Sequence, residues 1–554
     1  MDYKKLADLL YPNVKYDINY YMQKYPKRDL PEGAEVVRFA PSPTGFLHLG
    51  SLSQCVINEA FARTTNGVFY MRLEDTDTRR EIKDAGTIAY NALQYFGLVP
   101  SEGYRGDHLS EIGKYGPYVQ SRRTEIYDTF AKYLVSIGRA FPCFCDISES
   151  KSEILKRREE ELETSDTIEG KDPCRNLSYE QIEQYIKEGK SFGLRLLSQG
   201  DINKTIHVVD LIKGEREIRE NNKDVILIKS NGIPVYAFAH LVDDTLMGTT
   251  TVVRGEEWFQ SLACHLELFD AFGFKPPKYA HTPVISKLDN ETNQKRKLSK
   301  RKDPEANTAH YLEMGYPKQA VVEYLMTLAN SNFEDWRKDN PDKDYREFPF
   351  KMSNIGSNNP MFDFNKINDI SKNIIAKMSA ETLYQNLSDW AKEYDKAFYE
   401  YIEENKKYII SVLSIDRGGE KPRKDIKYYS EIKDYFDYMF LPYDTLCVNA
   451  FFPKVSPDKV KKILYKYAEK FDKNQTKDEW FDGVRALGLS MGFAVNNKDY
   501  KANPDNYLGN IADLCKIIRV CITGKENTPD LYSICVVLGK EELQDRVKYL
   551  KSRI

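Results

Sequence analysis

The chain has 554 residues, 41% hydrophobic and 30% charged, which places it among folded globular proteins and excludes disorder as its main state. At roughly 150 residues per domain, such a length calls for about three to four hydrophobic cores. Its 81 basic residues against 84 acidic ones leave a net charge of −3, which excludes a polycation that grips any polyanion but leaves room for a local basic surface.

Residues 1–33 are polar and aromatic, end in the break Pro31-Glu32-Gly33, and read as an N-terminal extension. Its few apolar residues before Tyr11 and Pro12 are too short a run for a secretory signal. From Glu35 the pattern changes. Val36, Val37 and Phe39 form a β-type run that meets the turn-rich Pro41-Ser42-Pro43-Thr44-Gly45. Leu52, Val56, Ala60 and Phe61 then recur at helical spacing. A second strand over Gly67 to Leu73 ends in the acidic cluster Glu74-Asp75-Thr76-Asp77, and a helix from Ala85 to Phe96 stops at Gly97. Strand, turn, helix, strand, cluster, helix is the order of a nucleotide-binding α/β unit with a parallel sheet.

Between about 110 and 235 the alternation becomes irregular, with a charged helix over Ser152 to Glu163 and the β-type run Val225 to Ile228, and this stretch reads as an inserted domain. The α/β pattern resumes with Val235 to Ala239 and Thr251 to Val253. After about residue 305 helical patterns dominate; one of them, Val460, Ile463, Leu464, Tyr467 and Phe471, keeps a single apolar face. No run approaches the ~18 to 20 apolar residues of a membrane span. Nine cysteines in no disulfide-dense pattern read as reduced thiols, so the expected compartment is cytoplasmic.

Two motifs carry chemistry. Pro41-Ser42-Pro43-Thr44-Gly45-Phe46-Leu47-His48-Leu49-Gly50-Ser51 lies between a strand and its helix, where the helix N-terminus offers N–H groups and a positive dipole end to phosphate. His48 in that first turn can donate to a phosphate oxygen, and Gly50 lets a base or ribose approach the backbone. His-x-Gly alone is usually only a capped helix start; the full string in this context is far more specific. The second motif, Lys295 to Lys302, has six basic residues in eight. Alone it would read as a solvated face, but after the second α/β half its lysines bracketing Ser299 can follow a triphosphate and stabilise charge as pyrophosphate leaves.

These strings resemble the HIGH and KMSKS motifs of class I aminoacyl-tRNA synthetases, the second carried by Lys297-Leu298-Ser299-Lys300-Arg301. Pro41 to Gly45, Arg72 to Asp77, Val242-Asp243-Asp244 and Arg254 to Trp258 narrow the resemblance to glutamyl-tRNA synthetases of the bacterial type, over about Val36 to Asp303 and more weakly through Phe362-Asp363 to Leu538-Gly539-Lys540. The resemblance implies a Rossmann-type parallel-sheet α/β catalytic core interrupted by an inserted α+β domain, followed by a mostly α-helical anticodon-binding region. The expected boundaries are 1–33 for the extension, 34–114 and 231–285 for the two catalytic halves, 115–230 for the inserted acceptor-stem domain, 286–375 for the connecting fold and 376–554 for the anticodon region.

It also implies a reaction. ATP, with Mg2+, and L-glutamate give glutamyl-adenylate, and the acyl group passes to the terminal adenosine of tRNA(Glu), with tRNA(Gln) left open as a second acceptor. By that likeness His48, Gly50, Lys297 and Lys300 are catalytic, and Thr44, Ser51 and Ser299 join them around ATP. Glutamate carries two carboxylates and an ammonium, so its pocket needs two cationic groups and one anionic group. Arg38 and Arg254 match the former, Glu74 the latter and Tyr236 a hydroxyl in the same site, while Ala40 and Ser42 line the entrance. Ser51 stands where the motif's second histidine falls, and His240 where some relatives carry asparagine.

Cys143, Cys145 and Cys174 resemble the cysteine part of a zinc site in some family members, whose fourth ligand comes two residues later. Here that residue is Asn176, so zinc is not expected and three buried thiols are. Arg423-Lys424 with Tyr428-Tyr429 is a candidate tRNA contact, although a charged helix with core tyrosines explains it as well. A monomer is expected. A glutaminyl-tRNA synthetase carries Pro-Glu-Pro-Asn where this chain has Pro41-Ser42-Pro43-Thr44. A short tRNA-modifying paralogue lacks the C-terminal region, and a pure tRNA binder has no use for His48, Lys297, Lys300, Arg38 and Glu74.

Overall fold

A computed structural model describes residues 1–42, 47–76, 84–107, 110–145, 172–289, 291–299, 301–419 and 422–553. Thr44, Asp77, Lys300 and the expected charged helix Ser152 to Glu163 lie outside the described residues. The strands in chain order are β1 (Val36–Phe39), β2 (Val68–Met71), β3 (Glu102–Tyr104), β4 (Glu111–Ile112), β5 (Ala140–Cys143), β6 (Gly193–Leu196), β7 (Thr205–Asp210), β8 (Gly214–Arg219), β9 (Ile226–Ile228), β10 (Thr251–Gly255), β11 (Lys278–Thr282), β12 (Ser286–Leu288) and β13 (Lys295–Lys297).

Every residue of β1, β2 and β10 is buried, as expected of parallel strands covered on both faces. β1, β2 and β3 pair in parallel, with β4 antiparallel at the outer edge. The crossover from β1 to β2 is the helix Leu49–Thr64, which buries Leu49, Leu52, Cys55, Val56 and Ala60. β10 pairs in parallel with β11. The Thr250 N–H donates to the Val36 carbonyl at 3.0 Å and the Val36 N–H to the Thr250 hydroxyl at 2.7 Å, so β1 and β10 run side by side. The order β3-β2-β1-β10-β11 is that of a doubly wound sheet, and its topological switch lies between β1 and β10. Ligands of such sheets bind beyond the carboxyl ends of the strands at that point.

The inserted stretch does not separate cleanly from this core. β5, β6 and β9 form an antiparallel sheet of their own. The hairpin β7–β8 instead extends the core sheet, with β7 parallel to β11 at Asp210 opposite Tyr279. This placement carries Asp210 to the catalytic core. The N-terminal segment is also integral. It forms the helices Tyr3–Leu10 and Ile18–Lys24, whose Leu6, Ala7, Leu10 and Tyr21 share a core with Ile126, Phe130 and Leu134. Arg28 then makes a bidentate pair with Glu102, both contacts at 2.9 Å.

The chain divides into two units, residues 1–310 with 322–363, and residues 311–321 with 364–554. The second is helical. Val460, Ile463, Leu464 and Tyr467 on the helix Pro457–Lys470, with Phe471 just past its end, share a core with Leu514 and Ile518 of Ile511–Thr523 and Leu543 of Leu531–Lys551. Among the described residues, no helix is long and apolar enough to cross a membrane.

Candidate active site

A cavity of about 260 Å3 opens beyond the carboxyl ends of β1 and β10. Arg38, Ala40, Ser42, His48, Ser51, Glu74, Tyr236 and Arg254, all chosen from the sequence, line it, together with Gln54, Glu257 and Trp258, which were not.

One side of it is built at the start of the helix Leu49–Thr64. His48 is the N-cap, and its Nδ1 accepts the Gly50 N–H at 2.9 Å. That contact leaves the imidazole proton on Nε2, the tautomer a phosphate oxygen needs as donor. A Cβ on residue 50 would stand 3.1 Å from His48 Nδ1, so glycine there allows the cap. The Leu47 carbonyl accepts both the Thr308 N–H at 3.2 Å and the Thr308 hydroxyl at 3.0 Å, which anchors the turn from beyond the lysine segment.

In that segment, β12 and β13 pair antiparallel with Ser286 opposite Lys297. Leu298 is buried and its N–H donates to Ile285. Arg296 reaches Asp289 at 2.8 Å and Asp303 at 2.6 and 2.8 Å, and Asp303 also accepts the Ser299 N–H at 2.8 Å. Hydrogen bonds from Arg296 hold the Asp303 carboxyl well below the usual carboxylate range. Lys297 is exposed, and its ammonium makes no hydrogen bond or ion pair to a described residue. Thus one cation of the basic run builds the segment while another is presented.

The floor is a buried ionic lattice. Asp244 on the helix Tyr236–Leu246 accepts Arg72 Nη1 at 2.7 Å, Arg38 Nε at 3.3 Å, the Tyr70 hydroxyl at 3.2 Å and His240 Nδ1 at 2.5 Å. Although burial opposes its charge, Arg72 and Arg38 hold it well below the usual carboxylate range. The neighbouring Asp243 accepts Arg123 Nε at 2.7 Å, Gln120 at 2.8 Å and the Tyr127 hydroxyl at 2.9 Å. Arg72 Nη2 reaches Glu74 at 3.0 Å, and the Pro41 carbonyl accepts the Glu74 N–H at 3.0 Å, which fixes Glu74 in the lining of the cavity beside the turn that carries Ser42. Burial raises the Glu74 carboxyl above its ordinary range despite Arg72. The Tyr236 hydroxyl accepts Arg38 Nη2 at 3.3 Å and Arg254 Nη1 at 3.4 Å, so both expected arginines converge on one oxygen.

His240 is wholly buried, with Nε2 on the Tyr279 hydroxyl at 3.0 Å and its ring 5.5 Å from that of Tyr236. Burial pulls its pKa down to about 4, so the ring stays neutral. Arg72, Asp243, Asp244, His265 and His281 were not among the expected site residues; the string Val242-Asp243-Asp244 was the available signal.

The cysteine group gains a member. The Cys143, Cys145 and Cys174 sulfurs and an Asp172 oxygen all lie within 4.8 Å of one another, with Cys145 and Cys174 sulfurs 3.5 Å apart. Cys143 is buried, whereas Cys145 and Cys174 are half-buried. Zinc was not expected because Asn176 is a poor ligand, but the fourth donor here precedes the last cysteine by two residues instead of following it. Three thiolates and a carboxylate fit tetrahedral zinc, although Asp172 also pairs with Arg195 Nε at 3.0 Å.

In the helical unit, Arg423 is tied to Asp425 at 2.6 Å and to the Thr528 carbonyl at 2.9 Å, and Tyr429 is buried. Residues 422–427 are not helical, and Tyr428 packs with its ring 5.1 Å from that of Tyr316.

Comparison with known proteins agrees with this construction. Residues 35–338 match the model of tRNA synthetases class I (E and Q), catalytic domain, and residues 509–551 that of an anticodon binding domain. The chain is 43% identical over 552 residues to a glutamate–tRNA ligase of Acetivibrio thermocellus, covering 99% of this chain and 100% of that one. A Clostridium perfringens glutamate–tRNA ligase is 42% identical over 550 residues, covering 99% and 100%. These alignments include the N-terminal segment. The fold is similar to the crystal structure of a glutamate tRNA ligase from Elizabethkingia meningosepticum, with a TM-score of 0.74, 23% identity, and coverage of 94% of this chain and 99% of that one. With its class I catalytic core and full-length relatives, the chain belongs to the glutamate–tRNA ligase family of class I aminoacyl-tRNA synthetases.

Proposed function

We propose that the cavity beyond β1 and β10 is where this glutamate–tRNA ligase joins L-glutamate to ATP and then passes the glutamyl group to tRNA(Glu). The observation that carries the reading is the convergence of Arg38 and Arg254 on the Tyr236 hydroxyl below Glu74, in the same cavity as the His48 helix cap. Two cations meet the side-chain carboxylate and one anion meets the ammonium, which leaves the second carboxylate free to react.

In this reading the reacting carboxylate must meet the α-phosphorus of ATP, so the side chain points to the floor. There Arg38 and Arg254, each 4% exposed, face its carboxylate with Tyr236. Glu74 takes the ammonium, while Ala40 and Ser42 line the entrance. His48, through Nε2–H, joins Gly50, Ser51 and Thr44 around ATP. Lys297, Ser299 and Lys300 serve the phosphates; Thr44 and Lys300 enter from the sequence alone. The glutamate carboxylate attacks the α-phosphorus, pyrophosphate leaves, and the tRNA ribose hydroxyl then displaces AMP from the acyl carbon. No protein nucleophile is required; orientation and charge stabilisation lower the barrier. Mg2+ would accompany ATP. Where zinc is bound, Cys143, Cys145, Asp172 and Cys174 would hold it as a structural clip, outside the reaction. The reading also includes a monomer working in the cytoplasm.

Charging of purified tRNA(Glu) and tRNA(Gln) with labelled glutamate, ATP and Mg2+ tests it. Product on tRNA(Glu) alone makes a discriminating ligase. Product on both makes a relaxed one whose misacylated tRNA needs a further enzyme. Product on neither, with competent tRNA, overturns the assignment.

A further inference from the structure

The two arginines of the pocket floor are held differently. Arg38 leans on a carboxylate, Asp244, at 3.3 Å. Arg254 contacts neutral groups: its Nε donates to His281 Nε2 at 2.9 Å and its Nη1 lies 3.0 Å from His265 Nδ1. Nη2 reaches the Trp258 carbonyl at 3.5 Å, and the guanidinium carbon sits 4.7 Å over the Tyr279 ring. Among the described residues no carboxylate forms an ion pair with Arg254.

Both imidazoles are set as acceptors. His281 Nδ1 lies 2.6 Å from the Asp210 carboxylate, which also accepts the His281 backbone N–H at 3.2 Å, so the ring proton is on Nδ1 and Nε2 faces Arg254 with a lone pair. His265 has Nδ1 toward Arg254, and its buried Nε2 has no hydrogen-bond partner among the described residues. A protonated ring at either place would confront the guanidinium with a second cation, and burial disfavours that form in both. Asp210, delivered by the β7–β8 hairpin, acts on Arg254 only through the His281 ring.

We propose that Asp210, His281 and His265 are positioning and specificity-determining residues. They orient Arg254 through neutral acceptors and leave its charge uncompensated until a substrate carboxylate arrives. This rests on the proposed placement of the glutamate side chain at the floor. A buried cation without a counter-ion is costly, and the glutamate carboxylate removes that cost. The amide of glutamine accepts only through its carbonyl oxygen, turns a donating NH2 toward the arginines and leaves the charge unpaired. Rejection of the amide thus arises from what surrounds Arg254 as much as from Arg254 itself.

The test compares two replacements of one ring in the full-length enzyme. His281→Gln keeps a neutral acceptor; His281→Glu keeps an acceptor but adds a carboxylate beside Arg254. KM for glutamate in tRNA charging, kcat and glutamine competition are read for each, with thermal melting as a check on folding. The surface variant His207→Gln, on the exposed side of β7, is the control. We expect H281Q to stay within about threefold of the parent KM. H281E should raise that KM by about ten- to a hundredfold at nearly constant kcat and make glutamine a stronger competitor, the size expected when one charged hydrogen-bonded contact is lost. Equal KM values for the two variants, or an unchanged ratio of glutamate to glutamine affinity, would overturn the proposal. If H281E fails to fold, His265→Asp is read the same way from the second ring. A parent enzyme that charges no tRNA with glutamate would instead defeat the underlying functional reading, which separates the two failures.

Discussion

The floor of the cavity beyond β1 and β10 and the lysine strand both present positive charge, but they hold it in opposite ways. Arg38 and Arg72 are buried and fixed by Asp244, which takes five partners at once. Lys297 is exposed at the end of β13, and the scaffold beneath it is the Arg296–Asp303 pair. In the proposed function the contrast follows the task of each charge. A group that recognises a fixed carboxylate gains from being desolvated and locked beforehand, since the fold bears the ordering cost once. A group that answers charge developing on phosphate needs reach, and its hydration keeps it harmless to the fold. Removing charge should therefore damage the two regions in different currencies.

The largest effect is expected at Asp244. Asp244→Ala leaves Arg72 and Arg38 buried without their shared carboxylate, and should cost about 3–5 kcal/mol of stability, read as a lower urea midpoint or failure to fold. Lys297→Ala should leave the urea midpoint unchanged and lower kcat by about a hundredfold or more. If both substitutions lower stability, or neither does, the comparison is broken.

Acid provides a finer probe. His240 has its pKa drawn from 6.5 down to about 4 by burial, so the unfolded chain takes up a proton that the folded one refuses. Stability is then complete above pH 6.5 and drains as pH falls toward 4, by roughly 3 kcal/mol for this ring alone. His240→Asn should flatten that slope in melting curves taken across the window, while Lys297→Ala should not. The smallest effect is expected for Tyr236→Phe, which deletes the oxygen shared by Arg38 and Arg254. It should raise KM for glutamate about tenfold with little change in melting temperature.

Much of this site was legible before folding. The strand Val36–Phe39, its turn and the helix behind it placed His48 and Gly50, because a period change from strand to helix is local in sequence. Arg38, Glu74, Tyr236 and Arg254 came from family likeness, and the fold brings them around one cavity. What escaped notice has a common cause. Arg72 meets Asp244 across 172 positions and His281 meets Asp210 across 71, distances at which residue type and spacing carry no signal. Asp172 was missed for a different reason, since the search for a fourth ligand ran only downstream of Cys174. The N-terminal segment was read as an appendage although Leu6, Ala7 and Leu10 recur at helical spacing, a sign that one face is buried.

The sequence by itself determined the class of the core, the position of the His48 motif at a strand-to-helix turn and the helical character of the second half, because each rests on short-range periodicity or a contiguous motif. Only the tertiary structure decided which charges are paired. It made Asp244 the hub of the floor, gave Arg254 neutral rings for neighbours, and drew a hairpin from the inserted stretch onto the core sheet so that Asp210 could reach His281. The physical reason is that the strength and sign of an electrostatic interaction depend on burial and separation, which a linear chain does not possess until it folds.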